Sequence, residues 1–203
     1  DRKSGEMIPN AKVVFSDGDD EVEVLMTDSL GQFVSQLVDK KAFGHKLNYT
    51  VEVSAEGYLL STYELNAELT TDSLISLSYI LDKKEIGTDL GPFMIYYNFD
   101  KYDIRDDAKV ELDKIVKIMN ENPEVKIELG SHTDCRGSWR YNSKLSKKRA
   151  KSAADYIAKR ITNSNRIVSK GYGESQPVNN CKCASCSKDE HQKNRRTEFI
   201  IIP

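Results

Sequence analysis

Gly130-Ser131-His132-Thr133-Asp134-Cys135-Arg136-Gly137, followed by Tyr141-Asn142-Ser143-Lys144-Leu145-Ser146-Lys147-Lys148-Arg149-Ala150, is the stretch whose reading decides the fold. It sets a carboxylate, Asp134, in a glycine-flanked loop just beyond the apolar strand Val125-Ile127-Leu129. It then sets a guanidinium, Arg149, fifteen positions later on a helix that begins past the loop. An acid and a base held across a short gap suit a zwitterion carrying both an ammonium and a carboxylate, because each charge meets its complement. Taken singly, each residue has plainer work. Asp134 can form an Asx turn or cap the next helix, worth about 1 kcal/mol. Arg149 can be a solvated helix residue, although Leu145 and Ala153 one turn to either side place it at the border of the apolar stripe.

Outward from this stretch, strands and helices alternate. Met94 to Phe99 reads as a strand. Asp106 to Asn120 reads as a helix with the stripe Val110, Leu112, Ile115, Val116 and Met119, stopped by Asn122-Pro123. A long helix follows from about Arg140 to Arg160, striped by Ala150, Ala153, Ala154, Ile157 and Ile161. Ile167 to Gly171 and Thr197 to Ile202 complete the strands. Helices separating strands imply an α/β sandwich, a mixed sheet with helices on one face.

The first half has another rhythm. Ala11-Val13-Phe15, Glu21 to Met26 and Tyr49-Val51-Val53 alternate with period two. Asp28-Ser29-Leu30-Gly31 turns into Gln32-Phe33-Val34, and a strand near Ser73 to Leu81 closes the set. Regular short strands with little helical periodicity predict an all-β sandwich of about seven strands. The polar stretch 83–92, with two glycines and a proline, reads as a linker. The expected organisation is therefore a β-sandwich over 1–82, a linker over 83–92 and an α/β domain over 93–203.

Charge follows the same division. Residues 1–82 hold 6 Lys+Arg against 15 Asp+Glu, a net of -9, and residues 83–203 hold 24 against 17, a net of +7. The basic residues of the second half are interspersed with acids, so nucleic acid is not an expected partner. No apolar run approaches the roughly 18 residues that span a bilayer. The sequence opens at Asp1 without methionine or apolar leader, so any export signal is expected outside it. Of the four cysteines, Cys181, Cys183 and Cys186 crowd a polar segment read as irregular, and Cys135 adjoins Asp134. They can hold a metal with His191 as fourth ligand, form one or two disulfides, or stay free. Zinc sites usually come as two separated Cys-x-x-Cys knuckles, which this is not, so disulfides are the expectation and no metal is.

The order and spacing of the opening stretch, together with Asn194-Arg195-Arg196-Thr197-Glu198-Phe199, resemble the OmpA-like peptidoglycan-binding domain over roughly Phe93 to Pro203. The resemblance implies a ligand, the diaminopimelate of the cell-wall stem peptide. It matches Arg149 to the ligand carboxylate and Asp134 to its ammonium. Asn142 is expected to hydrogen-bond near the peptide backbone and Leu145 to line the aliphatic part. The segment 98–103 resembles the family's first loop, with Asp100 and Tyr102 as further candidates. Arg195 or Arg196 is expected to support the site or the fold. The sequence departs from the family at Ser131, where many members have Gly, and at Cys135. OmpA-like domains often carry one disulfide in the late loop, which corresponds to Cys181 with Cys186. Cys135 is then the candidate partner of Cys183.

Gly5 to Val13, Thr27 to Phe33 and Val53 to Tyr58 resemble the carboxypeptidase regulatory-like domain, an accessory β-sandwich without catalytic residues. No Gly-x-Ser-x-Gly, His-Glu-x-x-His or phosphate-binding loop occurs, and His45, His132 and His191 show no ligand spacing, so an enzyme is not expected and no cofactor is. The resemblances imply a periplasmic, outer-membrane-associated wall anchor, similar to Bacteroidota lipoproteins of the type IX secretion machinery. The alternative is a periplasmic protein-interaction module whose wall-binding site is vestigial.

Overall fold

The computed structural model describes residues 1–37, 44–70, 75–91, 93, 95–97, 101–179 and 183–203. The chain divides into two units, Asp1–Glu85 and Ile86–Pro203.

In the first unit the period-two stretches form ladders where inward apolar side chains meet across strands. Strand β1 (Lys12–Asp17) turns through Gly18 and Asp19 into β2 (Asp20–Met26), and Gly18 takes the positive φ of 61° that such a short hairpin loop demands. Strands β3 (Lys46–Ser54) and β4 (Ser61–Glu68) add to the other side of β1, giving the antiparallel order β2-β1-β3-β4. Val13 faces Val53 and Phe15 faces Val51, and these join Leu47, Tyr49, Leu69 and Leu81 in one buried cluster.

A seven-strand sandwich was expected, and among the described residues this unit holds a single four-stranded sheet. Gln32 to Val34 and residues 75–81 carry no strand, and Ser73 and Leu74 lie outside the described residues. Both segments nevertheless alternate, and Phe33, Ile75, Leu77 and Tyr79 pack onto the core cluster, with the Phe33 and Tyr79 rings stacked at 6.1 Å. Alternation reports which side chains face apolar surroundings; a ladder also needs backbone groups in register with a partner. A cavity of about 510 Å³ lies among these segments and the sheet.

In the second unit, helix α1 (Asp106–Glu121) buries Ala108, Leu112, Ile115 and Met119, spaced four, three and four apart. Val110, expected in that stripe, is 60% exposed. Asn122 ends the helix and its side chain donates to the Ile118 carbonyl at 2.9 Å. Strand β5 (Lys126–His132) is central. It pairs in parallel with β6 (Ile167–Gly173) and antiparallel with β7 (Thr197–Ile202). Helix α2 (Trp139–Ala158) packs on β6 and β5, and α1 packs on α2. The approach of α2 is unusually close because its inner face is small: Ser146, Ala150, Ala153 and Ala154 are buried. At Gly171 a Cβ would stand 2.2 Å from the Lys147 backbone nitrogen, so glycine is required there.

Two expectations are corrected. The stretch read as a linker is taken up by both units. Lys83 bridges to Tyr58 in the first, while Gly87 and Leu90 donate to the Ile201 and Phe199 carbonyls of β7 in the second. Residues 95–97 carry no strand, and Met94, Asn98 and Phe99 lie outside the described residues. A short helix, α3 (Lys188–Asn194), occupies part of the segment read as irregular. Among the described residues no helix is long and apolar enough to cross a membrane.

Candidate functional site

The loop carrying Asp134 leaves the end of β5 and returns into α2, whose cap Ser138 accepts from the Tyr141 backbone nitrogen at 3.2 Å. Asn142, buried in the first turns of α2, donates to the Asp134 carbonyl oxygen at 3.1 Å and to the Glu174 carboxylate. Its amide nitrogen is thus spent on shaping the loop. Asn142 thereby positions the loop, and its Oδ1 is the atom left for the expected contact with a ligand backbone.

Asp134 is itself only 6% exposed. Its carboxylate accepts from the Arg136 backbone nitrogen at 3.0 Å, from the Arg136 guanidinium at 2.8 and 3.2 Å, and from the Arg195 guanidinium. Burial pushes its pKa up, but the hydrogen bonds from Arg136 and then Arg195 outweigh this and hold the carboxyl below its ordinary value. His191 Nδ1 stands 4.0 Å from the same oxygen. The sequence reading left the choice between Arg195 and Arg196 open. The structure separates them: Arg195 binds Asp134, whereas Arg196 binds Glu198 at 2.6 Å and the Gln176 carbonyl at 3.1 Å.

Arg149 lies half-buried on α2, its guanidinium 4.8 Å over the Tyr97 ring and its Nε donating to the Lys101 carbonyl at 3.1 Å. The Tyr97 hydroxyl donates back to the Arg149 carbonyl at 3.0 Å, and burial pushes that phenol's pKa up. Beside Arg149 opens a cavity of about 100 Å³, lined by Ile95, Tyr96, Tyr97, Ser131, His132, Arg149, Gln192, Arg195, Arg196 and Thr197. Three arginines therefore border one small space. Asp134, Leu145 and Tyr102 do not line it. Asp134 reaches it through Arg195, which touches both. Leu145 is half-buried one turn before Arg149, and Tyr102 is 39% exposed with Lys148 Nζ 4.6 Å over its ring. Asp100 lies outside the described residues.

His132 forms the cavity's inner wall, stacked on Tyr172 with centroids 5.0 Å apart. Its Nε2 is 3.3 Å from Glu198 without hydrogen-bond geometry. Burial, and then the Arg196 charge, lower its pKa to about 4, so the ring is neutral near pH 7.

A disulfide joins Cys135 to Cys183 across 48 residues, tying the Asp134 loop to the late loop. Cys186 is also disulfide-bonded, and Cys181, its expected partner, lies outside the described residues. Cys135, Cys186 and His191 bring potential metal-ligating atoms within 4.8 Å of one another. The residues that sequence reasoning undervalued, His191, Gln192 and Arg195, all come from α3 or its end. The signal was present in Ser187-Lys188-Asp189-Glu190, a capping box in which Ser187 and Glu190 satisfy each other's backbone nitrogens.

Fold and site together define a small α/β domain with a cavity lined by three arginines and a loop whose Asp134 is salt-bridged from within. Residues 96–195, most of the second unit, match the model of the OmpA family. The chain is 32% identical over 107 residues to the peptidoglycan-associated lipoprotein of Rhizobium meliloti, covering 53% of this chain and 58% of that protein. It is 33% identical over 104 residues to the protein of the same name from Haemophilus influenzae, covering 50% and 64%. The chain thus spans less than two thirds of these relatives' lengths. A solved peptidoglycan-associated lipoprotein from Burkholderia pseudomallei aligns with 53% of this chain and 88% of its own, at 22% identity and a TM-score of 0.47.

Proposed function

We propose that the OmpA-like unit binds peptidoglycan non-covalently, through the diaminopimelate of the stem peptide, and does no catalysis. The observation that carries this reading is the cavity of about 100 Å³ bordered by Arg149, Arg195 and Arg196. Its size suits one carboxylate group rather than a drug-sized ligand, which needs some 300 Å³ or more. The carboxylate of the zwitterion enters beside Arg149, the aliphatic part runs past Leu145, and the ammonium meets Asp134 in place of the exposed Arg136 side chain. The OmpA-family match and the relatives named for peptidoglycan association support the ligand class. On this reading the protein sits in the periplasm at the outer membrane and tethers an envelope assembly to the wall. The carboxypeptidase regulatory-like motifs of the first unit favour a PorE-type lipoprotein of the type IX secretion machinery.

A second reading rests on one observation: Asp134 already holds two guanidiniums. A site saturated from within suits an interaction module whose wall binding is vestigial. Calorimetric titration with a diaminopimelate-containing muropeptide separates the two. The first reading expects binding by wild type and loss in both Asp134→Ala and Arg149→Ala, with circular dichroism showing that each variant still folds. Absence of wild-type binding, or affinity retained in both variants, overturns it.

A further inference from the structure

We propose that reduction of the disulfides converts Cys135, Cys186 and His191 into a binding site for a soft divalent cation of the zinc type. The two sulfurs and one imidazole nitrogen already lie within 4.8 Å of one another, though they come from the β5–α2 loop, the late loop and α3. Around a tetrahedral zinc, with bonds of about 2.0 Å to nitrogen and 2.3 Å to sulfur, ligand atoms stand roughly 3.5–3.8 Å apart. The donors therefore need to close by only about 1 Å. An independent feature points the same way. His191 is buried, its side chain 8% exposed, and its Nδ1 has no hydrogen-bond partner, an uncompensated polar atom facing the acidic loop. A ligated cation would satisfy a nitrogen of that ring.

The cluster keeps its place without the disulfides because other bonds hold each part. Arg195, at the end of α3, binds Asp134 next to Cys135, and the Ser187–Glu190 capping box fixes the start of α3. The chemistry balances with a dithiol as reductant. Each disulfide takes up two electrons and two protons while a dithiol closes to its own disulfide. The cation then displaces the protons of Cys135 and Cys186 to bind them as thiolates, and accepts a lone pair from the His191 imidazole. Three protein donors leave the fourth position of a tetrahedral ion to water. The site stands apart from the peptidoglycan reading and exists only in the reduced protein.

The test uses the full chain, reduced with a dithiol, freed of it under anaerobic conditions and titrated with Co2+ and then Zn2+. The expected result is one equivalent of Co2+ bound with thiolate charge-transfer and tetrahedral d–d absorption, displaced by Zn2+, and a melting temperature of the reduced protein that rises with the ion. The oxidised protein should show none of these. His191→Ala and Cys186→Ser should each weaken binding by about tenfold or more, and His191→Asn serves where the alanine variant does not fold. Cys135→Ser is decisive, since Cys135 lies 48 residues from Cys183 in sequence. Unchanged binding in that variant would mean that the late loop alone chelates the ion, and the proposal would fall. It falls equally if the reduced protein binds no Co2+, if its melting temperature does not rise, or if the oxidised protein binds as well.

Discussion

Acidification should destabilise the second unit through His132 before its carboxylates are protonated. The imidazole is 1% exposed at the side chain, stacked on Tyr172 and close to the Arg196 charge, and its pKa falls from 6.5 to about 4. Because the folded value is depressed, the unfolded chain binds more protons between these two values. The stabilisation is therefore complete above pH 6.5 and is lost as pH falls towards 4. A difference of 2.5 units at 1.36 kcal/mol each amounts to about 3.4 kcal/mol, of which about 2.5 kcal/mol is gone by pH 4.5. His132→Phe keeps a flat ring against Tyr172 and removes the titration. Urea unfolding of this unit can be followed by Trp139, the only tryptophan, which lies in α2. Between pH 7 and 4.5, wild type should lose about 2.5 kcal/mol more than His132→Phe. Parallel curves for the two proteins, or an imidazole pKa at or above 6.5 by nuclear magnetic resonance, would refute the reasoning.

Three further outcomes are expected. Gly171→Ala puts a methyl 2.2 Å from the Lys147 backbone, which cannot swing aside. It should cost at least about 3 kcal/mol, whereas Gly130→Ala, 3.0 Å from a Tyr172 ring atom, should cost less; calorimetric melting of both ranks them. Cys183→Ser opens a loop of 48 residues and should lower stability in denaturant titration by about 4 kcal/mol on the chain-entropy account, with wild type in reductant falling at least as far. Arg136→Ala removes an exposed partner of Asp134, so stability should change by less than about 1 kcal/mol. If Asp134 receives the ligand ammonium, muropeptide affinity should hold or rise in this variant, and a large loss by titration calorimetry would assign the ammonium elsewhere.

Periodicity carried the sequence reading furthest where one face of an element is apolar and continuous. Helices α1 and α2 start and stop within two residues of expectation, and β7 runs from Thr197 to Ile202 as expected. Strand β5 was read short because its last residues, Ser131 and His132, are polar yet buried, which hydrophobic patterning does not register. Residues 75–81 show the opposite failure, a true alternation without a ladder. Charge type and spacing proposed Asp134 and Arg149 as a pair, and the structure places Arg149 on the cavity and Asp134 behind Arg195. Type and spacing could not show that Asn142 faces inward to the Asp134 carbonyl, because an Asn on a helix reads the same whether it meets ligand or loop.

What sequence proximity hides most is how the site is assembled. Asp134 and Arg149 are fifteen residues apart, which suggests that loop and helix make the site alone. Yet the groups that govern Asp134 come largely from the far end of the chain: Arg195 is 61 residues away, and the disulfide to Cys183 spans 48. Arg195 also lines the cavity next to Arg149, so it couples the acidic loop to the cationic space. Two guanidiniums and a disulfide hold the Asp134 loop in one geometry before any ligand arrives, which spares the ordering cost on binding. On the proposed function, the same bonds oppose the ligand's ammonium, which must displace a guanidinium to reach the carboxylate. Of the two, Arg136 is the one to yield, because its side chain is 59% exposed against 31% for Arg195 and gives up a solvent-screened pair. Affinity at this site should therefore depend on the late segment as much as on the loop that names the motif.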